Sequence, residues 1–133
     1  MRGVVLADTG PLYAATDPSD SQHERSLREQ SQLEVQSLRA VISYATLQEA
    51  HGLVLRKLGP SQARTFLREL LRTTLFVIPL EDHKKVIGRV LRYPDQDISM
   101  ADATNAEISD RLQVPMWTYD HHFDMMGSQV WRA

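Results

Sequence analysis

The stretch Gly3-Val4-Val5-Leu6-Ala7-Asp8-Thr9-Gly10-Pro11 decides the fold. Its first part is a short, continuous apolar run. A strand with one wet face alternates polar and apolar residues, whereas a strand covered on both faces, as in a parallel sheet, does not. The run therefore reads as a buried parallel strand over Gly3–Ala7. Gly10-Pro11 then punctuates it, with the proline suited to the first turn of a helix, where its missing amide has no partner to lose.

Working outward, Asp17-Pro18-Ser19-Asp20 is a turn that opens a polar helix near Ser21–Leu33. Leu38–Ile42 reads as a second strand. Ser43 can cap a helix over Tyr44–Leu58, which Gly59-Pro60 stops. Another helix starts at Ser61 and ends near Thr73, followed by a third strand at Leu75–Ile78. Val86, Ile87, Val90 and Leu91 recur at helical spacing within Asp82–Arg92. Tyr93–Asp97 is a loop, and Ser99 caps a helix running to about Leu112. Met116–Thr118 is a fourth strand, and Val130-Trp131 a short fifth. Strands alternating with helices predict an α/β domain with a mostly parallel sheet of four to five strands. The 133 residues fit one domain spanning 1–133, without repeats or linkers.

Four carboxylates fall where a strand ends or a helix begins: Asp8, Glu49, Asp102 and Asp120. In open parallel sheets ligands bind outside the carboxyl ends of the strands. Acids gathered there repel one another unless a cation lies between them. A hard divalent ion, Mg²⁺ or Mn²⁺, prefers oxygen ligands, and points to phosphoryl-transfer chemistry. Each acid also has a plainer reading. Asp8 can be a turn or cap residue and Asp120 a turn residue, and Ser99-Met100-Ala101-Asp102 matches a capping box. Glu49 points away from the Leu47, Ala50, Val54 and Leu58 face, so periodicity alone makes it solvated. Asp97 and Asp124 flank the set as weaker candidates.

Composition narrows the field. Hydrophobic residues are 42 % and charged residues 24 %, ordinary for a globular protein. With no cysteine there is no disulfide framework, thiolate zinc site or cysteine nucleophile. No apolar run reaches the length of a membrane span, and the start of the chain lacks a signal-peptide pattern. A cytoplasmic protein is the expectation. The formal net charge of −2 argues against a nucleic-acid coat protein but not against a nuclease. A haloacid-dehalogenase-type phosphatase would need a second Asp where Gly10 stands. Rossmann and P-loop glycine patterns are missing, and a response-regulator receiver would need an Asp where Pro79-Leu80 stands.

Taken together, Leu6-Ala7-Asp8-Thr9-Gly10-Pro11-Leu12, the mid-chain helical Glu49, Asp97-Ile98-Ser99-Met100-Ala101-Asp102-Ala103, and Trp117-Thr118-Tyr119-Asp120-His121-His122-Phe123 resemble the PIN domain. They are most similar to small VapC-type toxins of toxin–antitoxin systems, over nearly the whole chain and in the right order. The resemblance implies a three-layer sandwich with a central parallel sheet between helices. It places Asp8, Glu49, Asp102 and Asp120 in one acidic pocket for Mg²⁺ or Mn²⁺, and implies endoribonuclease activity, an antitoxin partner and a homodimer. A housekeeping RNA-processing nuclease and a catalytically silent binding module are the competing readings. Within the pocket, Asp8 and Asp102 are expected as direct ligands. Asp120 is expected to bind a second metal or hold a ligand water, and Glu49 to orient water or coordinate indirectly. Thr9 and Thr118 are candidates for hydrogen bonds to the ligands.

Three further expectations come from the residues. Arg64, Arg68 and Arg72 recur every four residues on a helix and form a candidate RNA-binding stripe. His121-His122 stands beside Asp120, but adjacent residues are expected to point apart and not to chelate. The helices within Leu12–Leu38 are expected to leave a groove beside the site, into which an amphipathic antitoxin segment could lay its apolar face.

Overall fold

The computed structural model describes residues 1–133. Strands β1 (Val4–Ala7), β2 (Arg39–Ser43), β3 (Leu75–Phe76) and β4 (Met116–Trp117) form one sheet in the order β3-β2-β1-β4, parallel throughout. The helices are α1 (Thr9–Thr16), α2 (His23–Val35), α3 (Tyr44–Leu58), α4 (Pro60–Leu70), α5 (His83–Leu91), α6 (Met100–Leu112) and α7 (His122–Met125).

All four residues of β1 are buried, as a strand covered on both faces requires. Val4 and Leu6 join a core with Val86 of α5, Ala103 and Ala106 of α6, and Phe123 of α7. Val5 and Ala7 join a second core with Ile42, Trp117 and Leu33 of α2, against which Leu12, Leu47 and Leu70 pack. Alternate residues of one strand thus feed the two faces. The result is the three-layer sandwich, with α5–α7 on one side of the sheet and α1–α4 on the other.

Local sequence sets most boundaries. Ser43 caps α3, its side chain accepting from the Thr46 amide at 3.0 Å. Gly59 adopts φ 89°, a left-handed backbone that glycine enters without steric penalty, and Pro60 opens α4 directly behind it. Two expectations shrink. The third strand ends at Phe76, with Val77 turned to solvent. The fifth strand reduces to one parallel bridge between Val130 and Met116. Two short elements were not foreseen, a 3-10 turn over Leu80–Asp82 and the helix α7.

Helix α6 is pinned from outside by ions. Arg89 Nε and Arg111 Nε each lie 3.0 Å from the Glu107 carboxylate, and Arg111 also bonds Asp82 at 2.5 Å. Burial pushes the Glu107 carboxyl up, but the two guanidinium hydrogen bonds outweigh it and hold it below the usual range.

Candidate metal centre

β1 has β2 on one side and β4 on the other, so the chain's connections leave it in opposite directions. A crevice opens at the carboxyl ends of strands at such a point. Asp8 is the first residue after β1, and Asp120 is the third after the neighbouring β4. Asp102 enters from the first turn of α6, and Glu49 from the second turn of α3.

Asp8 is 5 % exposed. It occupies the cap position of α1 but makes no side-chain capping bond, so the plain cap reading fails here. Its Oδ2 instead accepts from Thr118 Oγ1 at 2.8 Å. Burial pushes its carboxyl up to about 7; hydrogen bonds from Thr118 and the Thr9 amide oppose that, and the Asp102 and Glu49 charges add to it. Asp102 does cap its helix. Its carboxylate accepts from the Ser99 amide at 3.0 Å while its own amide donates to Ser99 Oγ at 3.0 Å. The same carboxylate faces the crevice, where burial and the Asp120 and Glu49 charges raise its pKa. Capping and site position coexist in one residue.

Asp120 is half-buried. Its amide donates to Thr118 Oγ1 at 3.0 Å, and its Oδ1 accepts from the His122 amide at 2.9 Å. Thr118 therefore ties Asp8 and Asp120 together with one hydroxyl. Thr9 does similar work across the crevice, donating to Glu49 Oε1 at 2.6 Å. Glu49 is exposed, as its periodicity predicts, yet it stands at the rim of the cleft.

Asp8, Asp102 and Asp120 each present an oxygen such that the three lie within 4.8 Å of one another. Glu49 stands outside that triad. All four line an open cleft of about 420 Å³ with Tyr119 and His121. No lysine or arginine pairs with any of the four acids. Converged, partly dehydrated carboxylates without a lysine or arginine partner form a hard, anionic oxygen donor set, which fits Mg²⁺ or Mn²⁺.

Three participants were not singled out from the sequence. Tyr119 lines the cleft and is fixed from behind, its hydroxyl donating to Glu29 Oε1 at 2.6 Å while Arg25 lies 4.1 Å over its ring. Glu29, buried on the otherwise polar α2, also accepts from Trp117 Nε1 at 3.1 Å. The third is Asn105 of α6, fully buried and bonded to Ser43 and Thr46. One expectation is overturned. The His121 and His122 rings do not point apart; their centroids are 4.3 Å apart at 38°. His121 already has helical backbone angles, so successive side chains diverge by about 100° rather than the 180° of a strand.

Arg64, Arg68 and Arg72 are exposed and make no ion pair. They do not line the acidic cleft. No helix is long and apolar enough to cross a membrane.

No protein-family model matches the sequence, and no curated protein matches it significantly. Solved structures do match. The chain superposes on the crystal structure of VapC20 from Mycobacterium tuberculosis, a sarcin-ricin-loop-cleaving toxin. The TM-score is 0.83 at 17 % identity, over 97 % of this chain and 99 % of that one. It also superposes on FitAcB from Neisseria gonorrhoeae, with a TM-score of 0.65 at 17 % identity over 96 % of both chains. The fold of this protein is the fold of those proteins.

Proposed function

We propose that this chain is a divalent-metal-dependent endoribonuclease and the toxin half of a toxin–antitoxin pair. The observation that carries the reading is the triad Asp8, Asp102 and Asp120, gathered within 4.8 Å with no lysine or arginine paired to it. The fold shared with a toxin that cleaves the sarcin-ricin loop supports RNA as the substrate class. A silent binding module would have no use for buried, mutually repelling acids held at a sheet's switch point.

Asp8, Asp102 and Asp120 would hold the ion, Mg²⁺ or Mn²⁺. Bound there, it supplies Lewis-acid chemistry, neutralising phosphate charge and acidifying water. The protein's part is positioning. Thr118 ties the Asp8 carboxylate to the Asp120 backbone amide, and the His122 amide fixes the Asp120 carboxylate. Thr9 holds Glu49 at the rim, where it orients water against the scissile phosphate. Arg64, Arg68 and Arg72 would contact RNA phosphates away from the cleavage point.

The antitoxin has a place to bind. Leu12, Leu27, Leu33, Leu38, Phe66 and Trp117 line a groove of about 630 Å³ among α1, α2 and α4. An amphipathic helix fits such a groove through its apolar face. Trp117 and Tyr119 share Glu29, so the groove is one side chain away from the cleft. A basic antitoxin residue could reach across to the acids. Exposed Leu67, Leu71, Leu75 and Val77 offer a separate apolar surface for a second copy of the chain.

The test is direct. Purified protein is expected to cut structured RNA with Mg²⁺ or Mn²⁺, to stop in EDTA and to resume on metal addition. Equal cleavage in EDTA removes the metal mechanism. Expressed in a host without a partner, the active protein is expected to arrest growth. Normal growth with abundant RNA-cleaving protein moves the reading to a housekeeping RNA-processing nuclease. Replacing Arg64, Arg68 and Arg72 together by alanine should weaken RNA binding and reduce the salt slope by up to about 3, roughly one for each phosphate no longer neutralised. Filter binding across a salt series checks this, and unchanged affinity removes the stripe alone.

A further inference from the structure

We propose that Asp120, His121 and His122 form a second ion site, of mixed nitrogen and oxygen ligands, that takes a borderline transition ion such as Zn²⁺ or Co²⁺ in preference to Mg²⁺. The inference rests on the metal-centre reading above only through Asp120, which the two sites share.

The geometry is specific. His122 Nδ1 lies 2.9 Å and His121 Nδ1 3.8 Å from the same Asp120 Oδ1. One donor atom from each residue falls within 4.8 Å of the others. The paired rings make this possible, because the turn into α7 swings both to one side.

A second, independent observation points to a ligand. His122 is 9 % exposed, and its Nδ1 is buried without a hydrogen-bond partner. The nearby Asp120 Oδ1 is close but badly aligned for one, and it already accepts from the His122 amide. A buried polar atom without a partner is unfavourable in a folded protein. Here a ring nitrogen and a carboxylate oxygen lie side by side 2.9 Å apart, and a cation held by both as neighbouring ligands gives the nitrogen the partner it lacks.

The donor set chooses the ion. Imidazole suits Zn²⁺, Co²⁺ and Ni²⁺, whereas Mg²⁺ keeps to oxygen. The neighbouring triad of Asp8, Asp102 and Asp120 is all oxygen, so the two halves of the cleft differ in the metal they prefer. The His121 side chain is 79 % exposed, which leaves the second site open to solvent and to an incoming phosphate. No other group of histidines and acids in the chain converges in this way.

The experiment titrates the metal-free full chain with Zn²⁺ and Mg²⁺ by calorimetry, and with Co²⁺ by visible absorption. The variants are His121→Ala, His121→Ala with His122→Gln, and Asp8→Asn. Circular dichroism checks that each is folded. The double variant is expected to lose Zn²⁺ affinity by about 10-fold or more and to lose the Co²⁺ absorption of nitrogen ligation. Its Mg²⁺ binding should stay unchanged. His121→Ala alone, at an exposed position, should weaken Zn²⁺ measurably, which decides the matter if His122→Gln does not fold. Asp8→Asn should lose Mg²⁺ and keep Zn²⁺. Full-strength Zn²⁺ binding in the folded histidine variants overturns the proposal, as does loss of Zn²⁺ in Asp8→Asn with the histidines intact. Zn²⁺ bound by the histidine pair in a wild type that ignores Mg²⁺ leaves this site standing and removes the carboxylate one.

Discussion

Asp8→Asn is expected to abolish RNA cleavage and at the same time to make the metal-free protein more stable at pH 8. The two effects have one cause. The Asp8 carboxyl is buried, and burial pushes it from its ordinary value of 3.8 up to about 7. Between those values the folded chain holds a proton that the unfolded chain has released. Stability therefore falls as pH rises through this window, and the full penalty remains above it. At 1.36 kcal/mol per unit the upper bound is about 4 kcal/mol, and water entering the open cleft lowers it. Asparagine carries no charge yet still accepts from Thr118, so the variant escapes the penalty and keeps that hydrogen bond. A rise in melting temperature of roughly 5 °C at pH 8, shrinking toward pH 4, is the expected size. Mg²⁺ at ~100 times its dissociation constant should stabilise wild type by about 2.7 kcal/mol and leave the variant unmoved. Cleavage should drop by a factor on the order of 10³, as when a group stabilising transition-state charge is removed. Thermal melts across pH, with and without Mg²⁺, and a cleavage assay measure all of this. A variant less stable than wild type at every pH makes Asp8 a structural residue, and a variant that still cuts RNA takes it out of the chemistry.

That such a residue can be found although no family model and no curated protein matches the sequence reflects what this fold demands. The chain shares 17 % of its residues with VapC20 while superposing at a TM-score of 0.83. The fold needs a strand apolar on both faces, helices with one apolar stripe, and punctuation between them. Many side chains meet those demands if volume and pattern are kept. Ser43, Gly59-Pro60 and Ser99 act on their own neighbours within a few residues, so their effects are visible in sequence. Asp102 is visible twice, as a cap and as an acid near a strand end. Glu49 is different. Its exposure follows from helical period, but its place at the cleft comes from Thr9, forty positions away. Glu29 reads as part of a polar helix and is buried by Trp117 and Tyr119, both tertiary neighbours some ninety positions away. The histidine pair misleads for a local reason: an extended backbone would splay the two rings, but the chain is already coiling at His121. Short strands fail similarly, since β3 and the Val130 bridge owe their few hydrogen bonds to where the sheet places them.

The largest stability loss is expected at a residue with no chemical role, Asn105. Its side chain is wholly buried in the middle of α6. It accepts from Ser43 Oγ at 2.6 Å and donates to Thr46 Oγ1 at 2.8 Å. Both partners are themselves fully buried, and Ser43 is the residue that caps α3. Asn105→Ala opens a cavity and strips two buried hydroxyls of their partner. Each unsatisfied group costs about 1–3 kcal/mol, partly relieved because Ser43 and Thr46 also bond each other. A net loss of roughly 2–4 kcal/mol follows, seen as a fall in melting temperature of about 5–15 °C or an equivalent shift in the urea midpoint. Asn105→Leu refills the volume without restoring the bonds, so it should recover only part of that loss. The effect reaches the cleft as well. Asn105 lies one turn beyond Asp102 and ties α6 to the start of α3, which carries Glu49. Metal affinity in the folded fraction should therefore weaken although no ligand has changed, which a purely local packing defect would not produce. A double-mutant cycle with Ser43→Ala should show a coupling energy above about 0.5 kcal/mol. An Asn105→Ala protein within about 0.5 kcal/mol of wild type, or with additive behaviour toward Ser43→Ala, would mean that the two helices are held in register by apolar packing and the sheet alone.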